Sequence, residues 1–228
     1  MSYSDTLTYR DAAQINTAMS RVYGYMGLAT LVSMLVSYFV GTNPALVQFF
    51  FTGIMHWVVI FAPLVAVFGV TIALNANPPR EIALLMLAGF AALMGLSFAV
   101  IFAVYTMASI VNAFMGAAVL FGTMSFYGYF TKQNLDSLGK FLLVGLIAIV
   151  IASIINIFVG STVGQMVISA LAIIIFLGLT AYDTQKIREM IMLDGDTGSV
   201  EVAGALTLYL DFINIFLSLL QLFGGKKE

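Results

Sequence analysis

The chain has 228 residues, of which 61% are hydrophobic and 9% charged. A soluble domain carries about a quarter charged residues, and the apolar excess here extends over the whole length, so the composition indicates an integral membrane protein. The formal net charge of −2 gives no reason to expect nucleic acid as a partner. Because there is no cysteine, disulfides, thiolate nucleophiles and thiolate metal sites are excluded.

The N-terminal residues, 1–20, are polar and lack the basic start, short apolar core and cleavage site of a secretory signal peptide. We predict a cytoplasmic tail over 1–20, one membrane domain over 21–224 and a short C-terminal tail over 225–228. Apolar segments of the length that a bilayer requires, about 20 residues, define seven spans: Val22–Val40, Trp57–Leu74, Ile82–Tyr105, Val111–Phe130, Phe141–Val159, Val167–Tyr182 and Val202–Phe223.

Basic residues fall mostly on one side of these spans. Seven of the nine precede span one or follow spans two, four and six: Arg10, Arg21, Arg80, Lys132, Lys140, Lys186 and Arg188. The positive-inside rule therefore predicts a cytoplasmic N-terminus. The other two, Lys226 and Lys227, lie outside if span seven crosses fully and inside if it is re-entrant. Since span seven contains no proline and keeps one helical pattern, we favour a full crossing, with the C-terminus outside.

Span seven carries a polar stripe. Its small and polar residues recur at intervals of three and four and share one helix face: Gly204, Thr207, Asp211, Asn214, Ser218, Gln221 and Gly225. A carboxylate in hydrocarbon costs about 2.5–3.5 kcal/mol on insertion scales, so this face must contact protein or water. We predict an all-α membrane protein of seven helices, with the last one central and wrapped by the other six.

Asp183, at the end of span six, and Asp211 belong to antiparallel neighbours. If the helix of span six continues toward Arg188, the two carboxylates lie at similar depth. In a low dielectric they cannot both ionise at low cost, so the pair would share a proton. When ionised, it offers the hard oxygen ligands that Ca²⁺ prefers. The pair is therefore a candidate pH sensor and ion gate that holds Ca²⁺ transiently, with no resident cofactor.

Alternatives remain open for both acids. Asp211 could fix helix packing through Asn214, a tyrosine or the backbone, and Asp183 could be an interfacial charge beside Lys186. Candidates to line or support a path are Tyr182, Thr207, Asn214, Ser218 and Gln221. The acids of the connection between spans six and seven are predicted to be solvated: Asp194, Asp196 and Glu201. Glycines inside the spans predict close helix packing: Gly89, Gly95, Gly116, Gly122 and Gly145.

Two segments resemble the signature motifs of the Bax inhibitor-1 family: Gly178–Ile187 (GLTAYDTQKI) and Ala205–Gly224 (ALTLYLDFINIFLSLLQLFG). Three others, Gly95–Ser97, Tyr105–Ile110 and Ser125–Lys132, resemble its bacterial YccA-like inner-membrane branch. The resemblance implies seven spans around the last helix and a pH-sensitive calcium leak, whose paired aspartates map to Asp183 and Asp211. Some relatives carry an acid inside the second span and a base at its cytoplasmic end. Here Trp57–Leu74 has no acid, and the nearest base is Arg80.

Three function classes follow. The first is a Ca²⁺ leak of the bacterial inner membrane, gated by the aspartate pair. The second is a non-conducting regulator that binds other membrane proteins, such as a quality-control protease, through its span faces and N-terminal tail. An intramembrane enzyme is disfavoured, because the Gly-any-Gly-Asp pattern of aspartyl intramembrane proteases is missing at both aspartates. The partners expected are the lipid bilayer and, for the second class, a membrane protein.

Overall fold

The computed structural model describes residues 12–193 and 198–227. Regular structure within these ranges is helical, apart from an isolated bridge between Tyr105 and Lys226. The helices are α1 (Ala12–Gly41), α2 (Pro44–Phe50), α3 (Gly53–Asn75), α4 (Arg80–Val104), α5 (Met107–Phe130), α6 (Asp136–Val159), α7 (Thr162–Leu193) and α8 (Gly198–Phe223).

Seven of these eight helices, all except the short α2, are long and apolar enough to cross a membrane. The predicted seven-span, all-α class is therefore confirmed. Burial differs strongly between the helices. In the apolar part of α6 only 6% of the residues are buried, whereas in the apolar part of α8 67% of the residues are buried. This burial of α8, which carries the polar stripe, is what we expect of a helix at the centre of the fold.

One compact unit comprises the described residues up to Val104 together with Ile187–Tyr209. In it α1 and α4 approach closely at Gly95, where an added Cβ would lie 2.5 Å from the Ser33 carbonyl oxygen. Helix α3 is held to α4 by the Ser97 hydroxyl, which donates to the Val59 carbonyl at 2.5 Å. The crossing at Gly95 leaves no room for a side chain, which is the use that small residues have between membrane helices.

The other compact unit comprises Tyr105–Lys186 and the described residues from Leu210 onward. It contains α5, α6, most of α7 and the second half of α8. Helix α7 contacts α5 where Gly128 faces the backbone of Ala181, and it contacts α6 where Gly178 faces Leu142. Both aspartates of the predicted pair belong to this unit.

The helices extend beyond several predicted apolar segments. Helix α1 begins at Ala12, so residues 12–20 of the predicted tail are helical, whereas residues 1–11 lie outside the described part. Helix α2 occupies the connection between spans one and two. The side chain of Asn43 caps it by accepting from the backbone N–H of Ala45 at 3.1 Å, and Pro44 occupies its first turn, where a missing N–H costs nothing.

The packing role predicted for glycines is confirmed at three of five positions. Gly95, Gly116 and Gly145 each face an atom of another helix within the distance of an ordinary contact or closer. The prediction is wrong for Gly89 and Gly122, since a Cβ at either position would meet no described atom within 4 Å. Those two glycines occupy open faces of their helices.

Helix α8 runs without interruption for 26 residues. At about 1.5 Å per residue it is about 39 Å long, which exceeds the hydrocarbon thickness of about 30 Å. Beyond its end, the Thr106 N–H donates to the Gly225 carbonyl at 3.1 Å, and the Gly225 N–H donates to the Ser109 hydroxyl at 2.9 Å. The C-terminal residues therefore lie beside the connection between α4 and α5.

Candidate functional site

The side chains of Asp183 on α7 and Asp211 on α8 are hydrogen-bonded to each other. As the sequence suggested, the helix of span six continues beyond Asp183, as far as Leu193. Asp211 is 4% exposed and lies near the midpoint of its helix. Its second oxygen, Oδ2, is buried and has no hydrogen-bond partner among the described residues.

This contact has a direct chemical consequence. An ionised carboxylate only accepts hydrogen bonds, so a hydrogen bond between two carboxyl groups requires a proton on at least one of them. Contact between the two helices at this point is therefore linked to the protonation of the pair.

Successive residues of α7 fix the position of Asp183. Ala181 lies against Gly128 of α5, and the ring of Tyr182 lies against Gly139 of α6. Thr184 shares a 3.0 Å hydrogen bond with Ser125 of α5. Contacts with α5 and α6 thus hold the residues on either side of Asp183. They fix the position of Asp183 independently of its contact with Asp211.

Gln185 extends this arrangement to the connection between α5 and α6. Its side-chain oxygen accepts from the Leu135 N–H at 2.9 Å, and its amide nitrogen donates to the Gln133 carbonyl at 2.9 Å. One residue further, Lys186 lies 4.0 Å from Asp136, and both side chains are a little under half exposed. The alternative that Asp183 is an interfacial charge beside Lys186 stays open.

An aromatic cluster covers the side of α8 that faces α5. Phe212, the neighbour of Asp211, makes edge-on contacts with Phe114 and Phe121, at centroid distances of 5.3 and 5.8 Å. Phe216, one turn further along, contacts Phe114 at 6.3 Å. These rings exclude water from one side of the pair, so electrostatic interactions there are weakly screened.

The C-terminal part of the stripe ends in a group of polar side chains. Gln221 accepts hydrogen bonds from Gln165 at 2.8 Å and from Ser169 at 3.0 Å, both on α7. Asn156 of α6 donates to the Gln165 oxygen at 3.3 Å. At about 1.5 Å per residue, Gln221 lies about 15 Å along α8 from Asp211.

The remaining candidates show no shared contact with the aspartate pair in the described hydrogen bonds. Thr207 donates to the Ala203 carbonyl and Asn214 to the Leu210 carbonyl, each one turn back on α8. Ser218 is buried, and Tyr182 packs on Gly139. The packing alternative for Asp211, a bond to Asn214, is thus not what the geometry shows. A role for these four residues along a path stays a prediction.

The prediction of a solvated acidic connection is wrong for Glu201; Asp194 and Asp196 lie outside the described residues. Glu201 is 2% exposed and belongs to the first turn of α8. Its carboxylate accepts two hydrogen bonds from Arg21 of α1, at 2.8 and 2.6 Å, and lies 3.5 Å from Arg80 of α4.

Sequence reasoning also missed a buried contact of Tyr209. Its hydroxyl shares a 2.6 Å hydrogen bond with Ser33 of α1, and Ser33 also lies 2.7 Å from the Ala91 carbonyl of α4. The Tyr209 ring meets Phe90 edge-on. Tyr209 therefore fixes the first half of α8 to α1 and α4, whereas Asp211, two residues later, faces α7.

Seven helices that are long and apolar enough to cross a membrane, with two neighbouring aspartates on the last two of them, define a polytopic membrane protein. In the described residues, no three His, Cys, Asp or Glu side chains are grouped as a metal site would require. The family follows from comparison with known proteins. A family model described as "Inhibitor of apoptosis-promoting Bax1" matches residues 15–228, and the chain belongs to this Bax inhibitor-1 family.

Several bacterial proteins are similar to this chain over nearly their whole length. Inner membrane protein YbhL of Escherichia coli K12 is 37% identical over 220 residues, covering 94% of each chain. YrjE of Lactococcus lactis is 38% identical over 220 residues, covering 92% of this chain and 91% of its own. A protein of Caulobacter vibrioides is 36% identical over 229 residues, covering 95% and 91%.

Proposed function

We propose that this member of the Bax inhibitor-1 family is a cation leak that passes Ca²⁺, with Asp183 and Asp211 as its pH-sensitive gate. The observation that carries the proposal is the close approach of Asp183 to the buried Asp211, since two carboxylates so near each other are costly to ionise together. Ionisable residues within membrane helices are expensive to bury and usually belong to ion or proton pathways.

The gating step follows from the charge of the pair. With its proton, the pair joins α7 to α8 and closes the space between them. When the proton leaves, two negative charges face each other, and at about 4 Å and an effective dielectric constant of about 20 they repel by about 4 kcal/mol. The repulsion is relieved when the side chains separate or when a cation lies between them. Ca²⁺ suits this position because it prefers carboxylate and other oxygen ligands.

Flux through the purified protein tests the proposal. Uptake of ⁴⁵Ca²⁺ into proteoliposomes should rise roughly tenfold between about pH 6 and about pH 8, because the pair loses its proton as the pH increases. Protein-free vesicles, measured over the same range, give the background. Uptake at background level throughout, or uptake that does not change with pH, would contradict the proposal.

A non-conducting regulator of another membrane protein is the alternative, and it predicts uptake at background level. For that function the partner surface would include the N-terminal residues 1–11, which lie outside the described part. Deleting residues 2–11 should then abolish association with the partner. A leak gated by the pair should keep its flux after the same deletion.

We further propose that the chain lies in the bacterial inner membrane with the N-terminus inside and the C-terminus outside. The name of the similar YbhL protein places that relative in the inner membrane. The contact of Gly225 with Thr106 supports the outer C-terminus, because the connection between α4 and α5 contains no Lys or Arg. A single cysteine at Lys227, in this naturally cysteine-free chain, should react with a membrane-impermeant reagent from the periplasm, and protection of that cysteine would contradict the orientation.

A further inference from the structure

The second half of α8 has two faces of different chemistry. Phe212, Phe216 and Leu219 lie toward α5, where they meet Phe114, Phe121 and Gly116. The opposite face carries Asp211, Asn214, Ser218 and Gln221, at spacings of three, four and three. A cation that leaves the aspartate pair finds oxygen atoms along the second face and only hydrocarbon along the first.

Both ends of this polar face are joined to α7. At one end Asp211 bonds to Asp183. At the other end Gln221 accepts from Gln165 and Ser169, and Asn156 of α6 bonds to Gln165. We name Asn156, Gln165, Ser169 and Gln221 the amide cluster. Gln221 is exposed near the end of α8, so the amide cluster lies at the exposed end of the polar face.

The amide cluster is built from neutral oxygen donors. Three carboxamides and one hydroxyl converge, and they satisfy one another with hydrogen bonds between 2.8 and 3.4 Å. Amide and hydroxyl oxygens are hard ligands that can replace part of the hydration shell of a cation, as rings of neutral oxygens do in ion-selective pores. Unlike the carboxyl pair, they keep this capacity at every pH of interest.

We propose that Gln165, Ser169 and Gln221 form a second cation-binding position, at the outer end of the same path, in which the side-chain oxygens coordinate a passing divalent cation. The inference rests on the proposed leak function. At this second position the cation would exchange part of its water shell for oxygen ligands of the protein. Gln221 and Ser169 are then residues that set the rate of permeation, whereas Asp183 and Asp211 set its pH dependence.

Replacing the Gln221 oxygen without changing side-chain length separates these roles. In proteoliposomes, Gln221→Met should lower ⁴⁵Ca²⁺ uptake about threefold or more at every pH, while the ratio of uptake at about pH 8 to that at about pH 6 stays at the parent value. Ser169→Ala should lower uptake in the same way. Gln48→Met, an exposed change on α2, is the matched control and should leave uptake unchanged.

The outcomes distinguish this inference from the proposed function. If the parent shows no uptake above protein-free vesicles, the proposed function is overturned and the inference falls with it. If parent uptake depends on pH but Gln221→Met and Ser169→Ala conduct as the parent does, or faster, the inference alone is overturned. A retained pH ratio in the slowed variants shows that they are folded and that the aspartate pair still operates, which supports the inference.

Discussion

Replacing Asp211 with asparagine is expected to abolish the pH dependence of Ca²⁺ uptake. Asparagine has the shape of aspartate but carries its own N–H donors, so it can bond to the Asp183 carboxylate without a titratable proton. The bridge between α7 and α8 then persists at all pH values. In proteoliposomes of Asp211→Asn, the ratio of uptake at about pH 8 to that at about pH 6 should fall to about one, at the low level of the protonated parent.

Asp136→Asn is the matched control for this variant. Asp136 lies on α6 in the same compact unit, but its side chain is 46% exposed and interacts with Lys186 at 4.0 Å. It should keep the uptake ratio of the parent, because an exposed carboxylate is screened by water and does not join two helices. A parent-like pH ratio in Asp211→Asn would show that the titrating group lies elsewhere.

Gly128→Ala is expected to destabilise the protein strongly. A Cβ at this position would overlap the carbonyl group of Ala181, and a backbone group cannot rotate away as a side chain can. Helices α5 and α7 must therefore separate, which also strains the hydrogen bond between Ser125 and Thr184. Overpacking of this kind costs about 1–3 kcal/mol of the free energy of unfolding, occasionally more. Thermal unfolding of the purified variant in detergent measures the loss.

Gly122→Ala, on the same helix, is the control for Gly128→Ala. A Cβ at Gly122 meets no described atom within 4 Å, and alanine is a better helix former than glycine by roughly 0.5–1 kcal/mol. Its unfolding temperature should equal or exceed that of the parent. Equal unfolding temperatures for the two alanine variants would mean that α5 and α7 are not packed as closely as the structure shows.

The aspartate pair could be predicted because its signal lies in single helices. A carboxylate within an apolar segment is costly wherever the helix packs, so Asp211 had to face protein or water before any contact was known. The polar residues that precede and follow Asp211 at intervals of three and four showed which face of the helix turns away from lipid. Asp183 followed from chain connectivity, since consecutive membrane helices with a short connection lie antiparallel.

The position of Glu201 could not be predicted in the same way. Its buried state depends on Arg21 and Arg80, which are 180 and 121 positions away along the chain. Local polarity near a predicted membrane boundary favours a solvated loop, and only the packing of α1 and α4 brings both arginines to the carboxylate. Burial of a charge is acceptable when such partners satisfy it, and the partners are a property of the fold.

The amide cluster was missed for a related reason. Gln221 was a candidate because of its place in the stripe, but Gln165 precedes span six and Ser169 lies near its start, where polar residues near a membrane boundary are common. Their importance appears only when α7 and α8 are aligned and the side chains bond across the helices. Helix α2 was missed because hydropathy does not detect a seven-residue capped helix inside a connection.

Infrared spectroscopy of the purified protein tests most directly whether Asp183 and Asp211 share a proton that controls the path. A protonated carboxyl group has a carbonyl band that an ionised one lacks, and exposed Asp and Glu side chains are ionised near neutral pH. We expect this band in the parent at about pH 6, its loss as the pH rises in step with Ca²⁺ uptake, and its absence in Asp211→Asn. A parent without the band at about pH 6, or one whose band disappears while uptake stays constant, would contradict the account.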